Sequence, residues 1–230
     1  MDNVHTTGTP VTTCPTRFLK NNEVFRWVGE TILGNGDPKI VTEVPFLMSG
    51  KKKNSTGKDE VGRIDSVLVS VEHNGISWCA LEMQAVYFSG AKMEDDFVVM
   101  REWKGPGLPF PKKNRRPDYR SSGPKRLMPQ LEIKVPTLRR WGRKMAVVVD
   151  MAFWKALGEI RQAEHISNAD IIWFVVDYEG PEGGHYRLIR YDAILTTLED
   201  AVEGLTGGTP VSLEQFEHAI LKKLERFEAT

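Results

Sequence analysis

The sequence predicts an α/β fold in which a central mixed sheet is flanked by helices. Two apolar segments joined by Asn74-Gly75 predict an antiparallel hairpin, because Asn-Gly strongly favours a tight turn. An apolar strand at 144–150, a helix at 151–164 and a strand at 170–178 predict a right-handed crossover with buried parallel strands. Antiparallel and parallel pairs in one domain together indicate a mixed sheet.

The remaining segments supply helices and outer strands. Residues 21–34 have the apolar spacing of an amphipathic helix, and residues 39–47 form a strand before the hairpin. An outer strand is expected at 186–191. Two C-terminal helices, at about 192–203 and 213–228, then complete the domain.

Length and composition suit one domain. At 230 residues and 40% hydrophobic content, the chain can bury one sizeable core, and we treat residues 1–230 as a single domain. No apolar run is long enough to span a bilayer and no signal-peptide pattern is present, so no membrane association is expected. Two cysteines in different contexts, Cys14 and Cys79, favour a reducing cytoplasm. Residues 1–15 are polar and are expected to be mobile.

The predicted hairpin carries carboxylates inside apolar strands. Asp65 lies in the segment 62–69, and Glu82 and Gln84 lie in the segment 78–88. An unpaired charge is costly there, so it requires either a structural ion pair or a bound cation. Side chains alternate along a strand, which places Glu82 and Gln84 on one face. Their combination with Asp65 favours a hard divalent cation, which prefers oxygen ligands.

The pattern Asp65, Glu82-x-Gln84 resembles the PD-(D/E)xK restriction-endonuclease-like core, in the variant where Gln replaces the final Lys. By this resemblance, Asp65, Glu82 and the backbone carbonyl of Met83 hold Mg²⁺, and Gln84 orients the attacking water. Glu43, on the preceding strand, binds a second metal, orients the first, or has only a structural role.

A closer resemblance, to NotI-type restriction endonucleases, covers roughly residues 15–180. Four stretches carry it: Glu43-Val44-Pro45-Phe46, Gly62-Arg63-Ile64-Asp65, Leu81-Glu82-Met83-Gln84-Ala85-Val86-Tyr87-Phe88-Ser89-Gly90 and Arg143-Lys144-Met145-Ala146-Val147-Val148-Val149-Asp150. The resemblance implies a type II enzyme, a homodimer that cleaves double-stranded DNA at a palindromic site with Mg²⁺, for which Mn²⁺ can substitute. The enzyme that gives this family its name holds iron with four cysteines. Cys14 and Cys79 are too few, so no iron site is expected.

A basic region separates the charges of this electroneutral chain. Residues 104–144 hold 13 Lys or Arg and two acids, a local charge of +11. This charge is typical of a surface that binds a polyanion such as DNA. A solvated surface without a binding role can have the same composition. Residues 104–126 are predicted to form a loop, and 127–142 a helix broken or kinked by prolines. As a recognition insertion, this region offers these candidate DNA contacts: Lys112, Lys113, Arg115, Arg116, Arg120, Lys125, Arg126, Gln130, Lys134, Arg139, Arg140 and Arg143.

Two other functions fit the same residues. A nuclease for DNA repair or mobile-element processing would read DNA structure in place of sequence. A non-catalytic DNA-binding protein would keep the fold and lack cleavage. Preference for branched or nicked DNA distinguishes the first, and failure to bind metal in the presence of DNA distinguishes the second.

Overall fold

The computed structural model describes residues 10–48, 60–88, 90, 93–105, 115–182, 185–207 and 211–228. In these ranges the strands are β1 (Lys39–Met48), β2 (Glu60–Glu72), β3 (Gly75–Met83), β4 (Tyr87–Phe88), β5 (Pro117–Asp118), β6 (Met145–Asp150), β7 (Ile171–Glu182) and β8 (His185–Thr196). Six of them form one sheet in the order β1-β2-β3-β6-β7-β8, and β4 pairs with β5 separately.

The central sheet is mixed, as the sequence predicted. Strands β1, β2 and β3 are antiparallel neighbours, β3, β6 and β7 are parallel neighbours, and β8 is antiparallel to β7 at the edge. The hairpin turns before Gly75, whose φ of 144° lies in a region that side chains disfavour. Its second strand ends at Met83 and not at residue 88, because Tyr87 and Phe88 pair with Asp118 and Pro117.

Helices cover both faces of the sheet. They are α1 (Glu23–Val28), α2 (Glu94–Arg101), α3 (Tyr119–Ser122), α4 (Met128–Arg140), α5 (Met151–Ala156), α6 (Leu198–Thr206) and α7 (Leu213–Glu228). Shorter helical turns of 3-10 or π geometry span Pro15–Asn22, Gly29–Leu33, Gly123–Leu127 and Ile166–Asn168. In the part of the chain described, no helix combines the length and apolarity that crossing a membrane requires.

Two apolar layers hold the sheet between these helices. Alternate residues of β6 enter opposite layers: Val147 packs with residues of α4, α5 and α6, whereas Ala146 and Val148 pack with Phe25 of α1 and Phe18 before it. This alternation follows from the period of two along a strand, and it explains why a strand buried on both faces is continuously apolar.

Two predicted helices have different bounds. The helix expected at 151–164 ends at Ala156, because the following residues bond to other segments: Gly158 N–H donates to the Gly204 carbonyl at 2.9 Å and Ala163 N–H to the Leu195 carbonyl at 2.8 Å. The helix expected at 192–203 begins only at Leu198, because β8 continues to Thr196 in register with β7.

The basic region contains more helix than the sequence predicted. The loop predicted for 104–126 is helical from Tyr119 onward, since the Asp118 side chain accepts a hydrogen bond from Ser121 N–H at 2.9 Å and caps the turn. Helix α4 then runs continuously through Pro136. Pro129 lies in its first turn, where a backbone N–H has no partner within the helix, so no break occurs there.

Candidate active site

The two predicted catalytic carboxylates lie where β2 and β3 meet. The antiparallel ladder pairs Ser66 with Leu81, and the next residues along the strands are Asp65 and Glu82. On its other side, Glu82 pairs in parallel register with Val147 of β6. Leu81 packs into the layer beside α1, whereas Glu82 faces α4, as the alternation of side chains predicted.

Glu82 is buried and bonded to helix α4. The residue is 3% exposed, and its Oε2 accepts a hydrogen bond from Lys134 Nζ at 2.9 Å. Lys134 Nζ also donates to Gln130 Oε1 at 2.6 Å, one helical turn earlier. The apolar stripe of α4, which includes Leu131 and Val135, faces the core and thereby directs Gln130 and Lys134 onto the end of β3.

The pKa of Glu82 reflects its burial and two charged neighbours. Burial raises the pKa of Glu82 most strongly, because desolvation disfavours the carboxylate. The Lys134 ammonium lowers that pKa, and the negative charge of Asp65 raises it again. Asp65 itself is exposed to solvent. The site therefore combines one buried and one exposed carboxylate that repel each other, and a cation between them would relieve that repulsion.

Gln84 follows the end of β3 and is 7% exposed. Its backbone N–H donates to the Val148 carbonyl at 2.9 Å, which continues the pairing with β6 for one more residue. Its side-chain amide donates to the carbonyl of Ala85 at 2.5 Å. The NH₂ group is thus engaged by its own chain, whereas the side-chain carbonyl oxygen takes no part in this bond.

Glu43 is the fourth predicted catalytic residue. Its side chain is 63% exposed, and its Oε2 lies 3.2 Å from Nη1 of Arg63 on the neighbouring strand. The structure therefore places Glu43 on the same side of the hairpin as Asp65, in an ion pair on an exposed surface.

Sequence reasoning missed a set of polar residues behind the site. Thr12 is buried, contrary to the mobility expected for residues 1–15, and its carbonyl accepts from Val86 N–H at 2.8 Å. Its own N–H donates to the Asp150 carboxylate, which also accepts from Phe153 N–H at 2.7 Å and caps α5. The Thr12 hydroxyl bonds to Tyr178. An Asp before a helix was the available signal, but nothing in the sequence linked it to residue 12.

Four basic candidates lie close together in the chain near this end of the sheet. Arg116, Arg120, Lys125 and Arg126 are exposed. The Arg126 guanidinium lies 3.9 Å from the centroid of the Tyr87 ring, five residues beyond Glu82. These four form what we call the 116–126 basic cluster, on the segment that pairs with β4 and leads into α4.

Three others lie toward the opposite end of the strands, where β3 and β7 begin. Arg139 bonds to Asp170, just before β7, and to Glu199 of α6, with nitrogen–oxygen distances of 2.5 and 3.0 Å. Arg143 lies 5.4 Å from the Trp78 ring at the start of β3. Arg140 donates to the Thr137 hydroxyl at 2.8 Å. Gln130 and Lys134, by contrast, both contact the Glu82 site.

The last three candidates for DNA contact are Arg115, Lys112 and Lys113. Arg115 is 5% exposed, and its Nε lies 2.6 Å from Oδ2 of Asp96 in α2, which is also buried. The structure thus gives Arg115 a buried ion pair at the base of the segment between β4 and β5. Lys112 and Lys113 lie outside the described residues.

The donor set at the end of the hairpin fits a hard cation. Asp65 and Glu82 offer carboxylate oxygens, and the Met83 carbonyl is the next main-chain oxygen on the strand. No group of three or more His, Cys, Asp or Glu residues gathers around one point in the described ranges. Two carboxylates with a carbonyl suit Mg²⁺, which keeps several of its waters, better than metals that need a complete protein cage.

The sequence matches the family described as Restriction endonuclease NotI over residues 3–188. This range includes the hairpin, the basic region, helix α4 and the parallel strands, and it ends within β8. No curated protein matches the chain.

Proposed function

Because this chain belongs to the NotI restriction endonuclease family, we propose that it is a type II, site-specific endonuclease that hydrolyses phosphodiester bonds of double-stranded DNA with Mg²⁺. The juxtaposition of Asp65 and Glu82 at the end of the hairpin carries this proposal. We assign the site to the PD-(D/E)xK type, with Gln84 in the position of the final Lys. A restriction enzyme of this kind acts in the cytoplasm.

The metal would be held by oxygen donors of two adjacent strands. Asp65 and Glu82 bring two negative charges, and the Met83 carbonyl adds a neutral oxygen. The chemistry supplied by bound Mg²⁺ is polarisation of the scissile phosphate and activation of a water for in-line attack. The proximity of the two carboxylates supports the assignment, because the negative charge of Asp65 acts on Glu82 from the neighbouring strand.

Gln84 positions the attacking water in this proposal. An amide cannot accept a proton at neutral pH, so Gln84 is not a general base. Its carbonyl oxygen can accept a hydrogen bond from the water while its NH₂ group remains bonded to the Ala85 carbonyl. This arrangement uses the side chain where the structure already holds it, and it fixes the direction from which the water approaches.

DNA would lie across the carboxyl end of β3. Of the 116–126 basic cluster, Arg116 precedes β5 and the other three residues lie between β5 and α4. Helix α4 in turn contacts the site through the bond from Lys134 to Glu82. We assign these side chains to phosphates and to guanine edges, for which Arg is the commonest partner. Arg139 is engaged by two carboxylates, which makes it a weaker candidate for DNA contact.

A homodimer would supply one active site for each DNA strand. Helix α7 offers a surface for it, because its apolar side chains are exposed in the single chain: Phe216 by 57%, Ile220 by 44%, Leu221 by 58% and Leu224 by 52%. These residues do not cover the core of their own chain. They repeat at helical spacing within a helix of 16 residues, which is long enough for a two-helix contact.

The charges of α7 suit an antiparallel contact with a second copy. Its first half carries Glu214 and Glu217, a net charge of −2, and its second half carries Lys222, Lys223 and Arg226 against Glu225 and Glu228, a net charge of +1. A two-fold axis through the middle of the helix places the acidic half of one copy beside the basic half of the other. The same pairing in parallel orientation would place like charges together, so we propose the antiparallel dimer.

The first experiment is cleavage of a large, fully sequenced DNA with Mg²⁺. Wild-type protein should give discrete fragments whose ends define the site and the cut position. Glu82→Ala should cut nothing and still shift DNA in a gel, because it removes a metal ligand and leaves the basic residues. Glu72→Ala, at the far end of β2, serves as the matched carboxylate control.

Three results would speak against the proposal. Cleavage by Glu82→Ala at near wild-type rate would show that the site lies elsewhere. Preferential cutting of branched or nicked DNA would indicate a structure-specific repair or mobile-element nuclease. DNA binding without metal binding or cleavage, by wild-type protein, would indicate a non-catalytic member of the family.

A further inference from the structure

The geometry points to Lys134 as the cationic residue of the active site: we propose that helix α4 supplies the positive charge that the strand lacks at Gln84. The inference rests on the proposed function. Lys134 comes from a different element, 52 residues beyond Glu82, yet its Nζ lies 2.9 Å from Glu82 Oε2. It therefore already lies beside the carboxylate that would hold the metal.

Burial makes the position of Lys134 unusual. A lysine ammonium is strongly hydrated, and Lys134 is only 6% exposed. Removing two charges from water costs about as much as their attraction returns, so a buried Lys–Glu pair adds little to stability compared with apolar side chains of the same volume. Packing alone would be served as well by Leu or Met at position 134.

Gln84 cannot perform the same task. Its side chain is neutral, and its NH₂ group donates to the Ala85 carbonyl at 2.5 Å. The attacked phosphate develops additional negative charge, which a fixed cation in a dry site stabilises much more than a neutral amide does. Lys134 provides that cation from the face of the sheet on which Glu82 lies.

Glu82 has two competing partners in this scheme. A divalent cation on Glu82 and the Lys134 ammonium bind the same carboxylate and repel each other, so metal binding weakens the contact between Lys134 and Glu82. Gln130 remains a neutral partner for Nζ at 2.6 Å and keeps the lysine in place. Lys134 would then hold its positive charge against a non-bridging oxygen of the scissile phosphate.

The test compares Lys134→Met with wild-type protein and with Lys155→Met, a control on the exposed part of α5. Single-turnover cleavage with saturating Mg²⁺ should fall by about 10²-fold or more in Lys134→Met. Binding of Mn²⁺ without DNA, followed by electron paramagnetic resonance, should become tighter, because the competing ammonium is gone. The double variant Gln84→Lys/Lys134→Met should recover cleavage relative to Lys134→Met, because it returns a cation to the site from the strand.

Each failure has a distinct meaning. Wild-type cleavage rates in Lys134→Met, together with an inactive Glu82→Ala, would overturn the role of Lys134 and leave the proposed function intact. A loss of cleavage without tighter Mn²⁺ binding and without rescue by Gln84→Lys would make Lys134 structural, which also overturns the proposal. If Lys134→Met does not fold, Lys134→Gln, which can still donate to Glu82, replaces it with the same expectations.

Discussion

Glu43 lies opposite Asp65 on neighbouring strands, in a backbone conformation that glutamate rarely adopts. The β1–β2 ladder pairs Thr42 with Ser66 and Val44 with Ile64, which places Glu43 and Asp65 between these pairs. The φ of Glu43 is 54°, in the left-handed region. Strain of this kind is tolerated where the surroundings impose it, and it is enriched at functional sites.

The strain at Glu43 predicts that two substitutions differ in their effect on stability and agree in their effect on DNA cleavage. In urea denaturation, Glu43→Gly should have a free energy of unfolding about 1 kcal/mol higher than Glu43→Ala, because glycine accepts a positive φ without cost. If the carboxylate assists the metal, both variants should cleave DNA more slowly. Equal stability of the two variants would contradict the strained backbone, and wild-type cleavage by both would leave Glu43 a purely structural role.

Arg115 should affect stability more than DNA affinity, because it is buried against Asp96. Arg115→Leu should lower the free energy of unfolding by about 3–5 kcal/mol, since it leaves a buried carboxylate without its cation. The double variant Arg115→Leu/Asp96→Leu should lose much less of its free energy of unfolding. Urea denaturation of the single and double variants measures the coupling, and additive losses would show that the two side chains do not act as a pair.

Arg126 and Arg139 should differ in the salt dependence of DNA binding. Each phosphate contact contributes a slope of about 0.9 in the logarithm of affinity against the logarithm of salt concentration. Arg126→Ala should lose a slope of about that size, whereas Arg139→Ala should keep the wild-type slope, because Asp170 and Glu199 already engage Arg139. Fluorescence anisotropy at several salt concentrations measures both slopes, and the reverse pattern would place the DNA at the opposite end of the strands, beside Arg139.

The two cysteines should react at very different rates with a thiol reagent. Cys14 is exposed, whereas burial raises the pKa of Cys79 to about 12 from a model-compound value of 9.0. At pH 8 that shift reduces the thiolate fraction by about 10³-fold. Native protein should therefore take up one label and urea-denatured protein two, as counted by mass spectrometry. Rapid double labelling of native protein would contradict the burial of Cys79 in the core.

The dimer surface on α7 can be tested through its charges. Glu214→Lys/Glu217→Lys should give a monomer in sedimentation experiments, since two basic halves then face basic halves. Adding Lys222→Glu/Lys223→Glu should restore the dimer, because the charge pattern is reversed and again complementary. His218→Glu is a single-site control. A wild-type monomer at micromolar concentration, with or without DNA, would exclude this surface.

The hairpin was predictable because its signals are local. Asn74-Gly75 fixes the turn, and once the turn is fixed, the alternation of side chains determines that Glu82 and not Leu81 faces α4. The partner of Glu82 was harder to predict from the sequence. Lys134 was a candidate for DNA contact, but its bond to Glu82 depends on how α4 docks on the sheet, which no local spacing specifies.

The misread segments have non-local causes. Residues 192–196 are extended because they pair with Ile171–Val175 in the first half of β7. Residues 119–127 contain the Gly and Pro of a loop, but the cap at Asp118 and the burial of Ser122 and Leu127 make them helical. In both places tertiary contacts overrode a correct reading of local propensity.

The contacts of Thr12 have a consequence for the order in which the enzyme matures during synthesis. Thr12 joins Val86, Asp150 and Tyr178, partners separated from it by up to 166 residues. The segment behind Gln84 therefore cannot reach its final packing until the chain has been synthesised as far as β7.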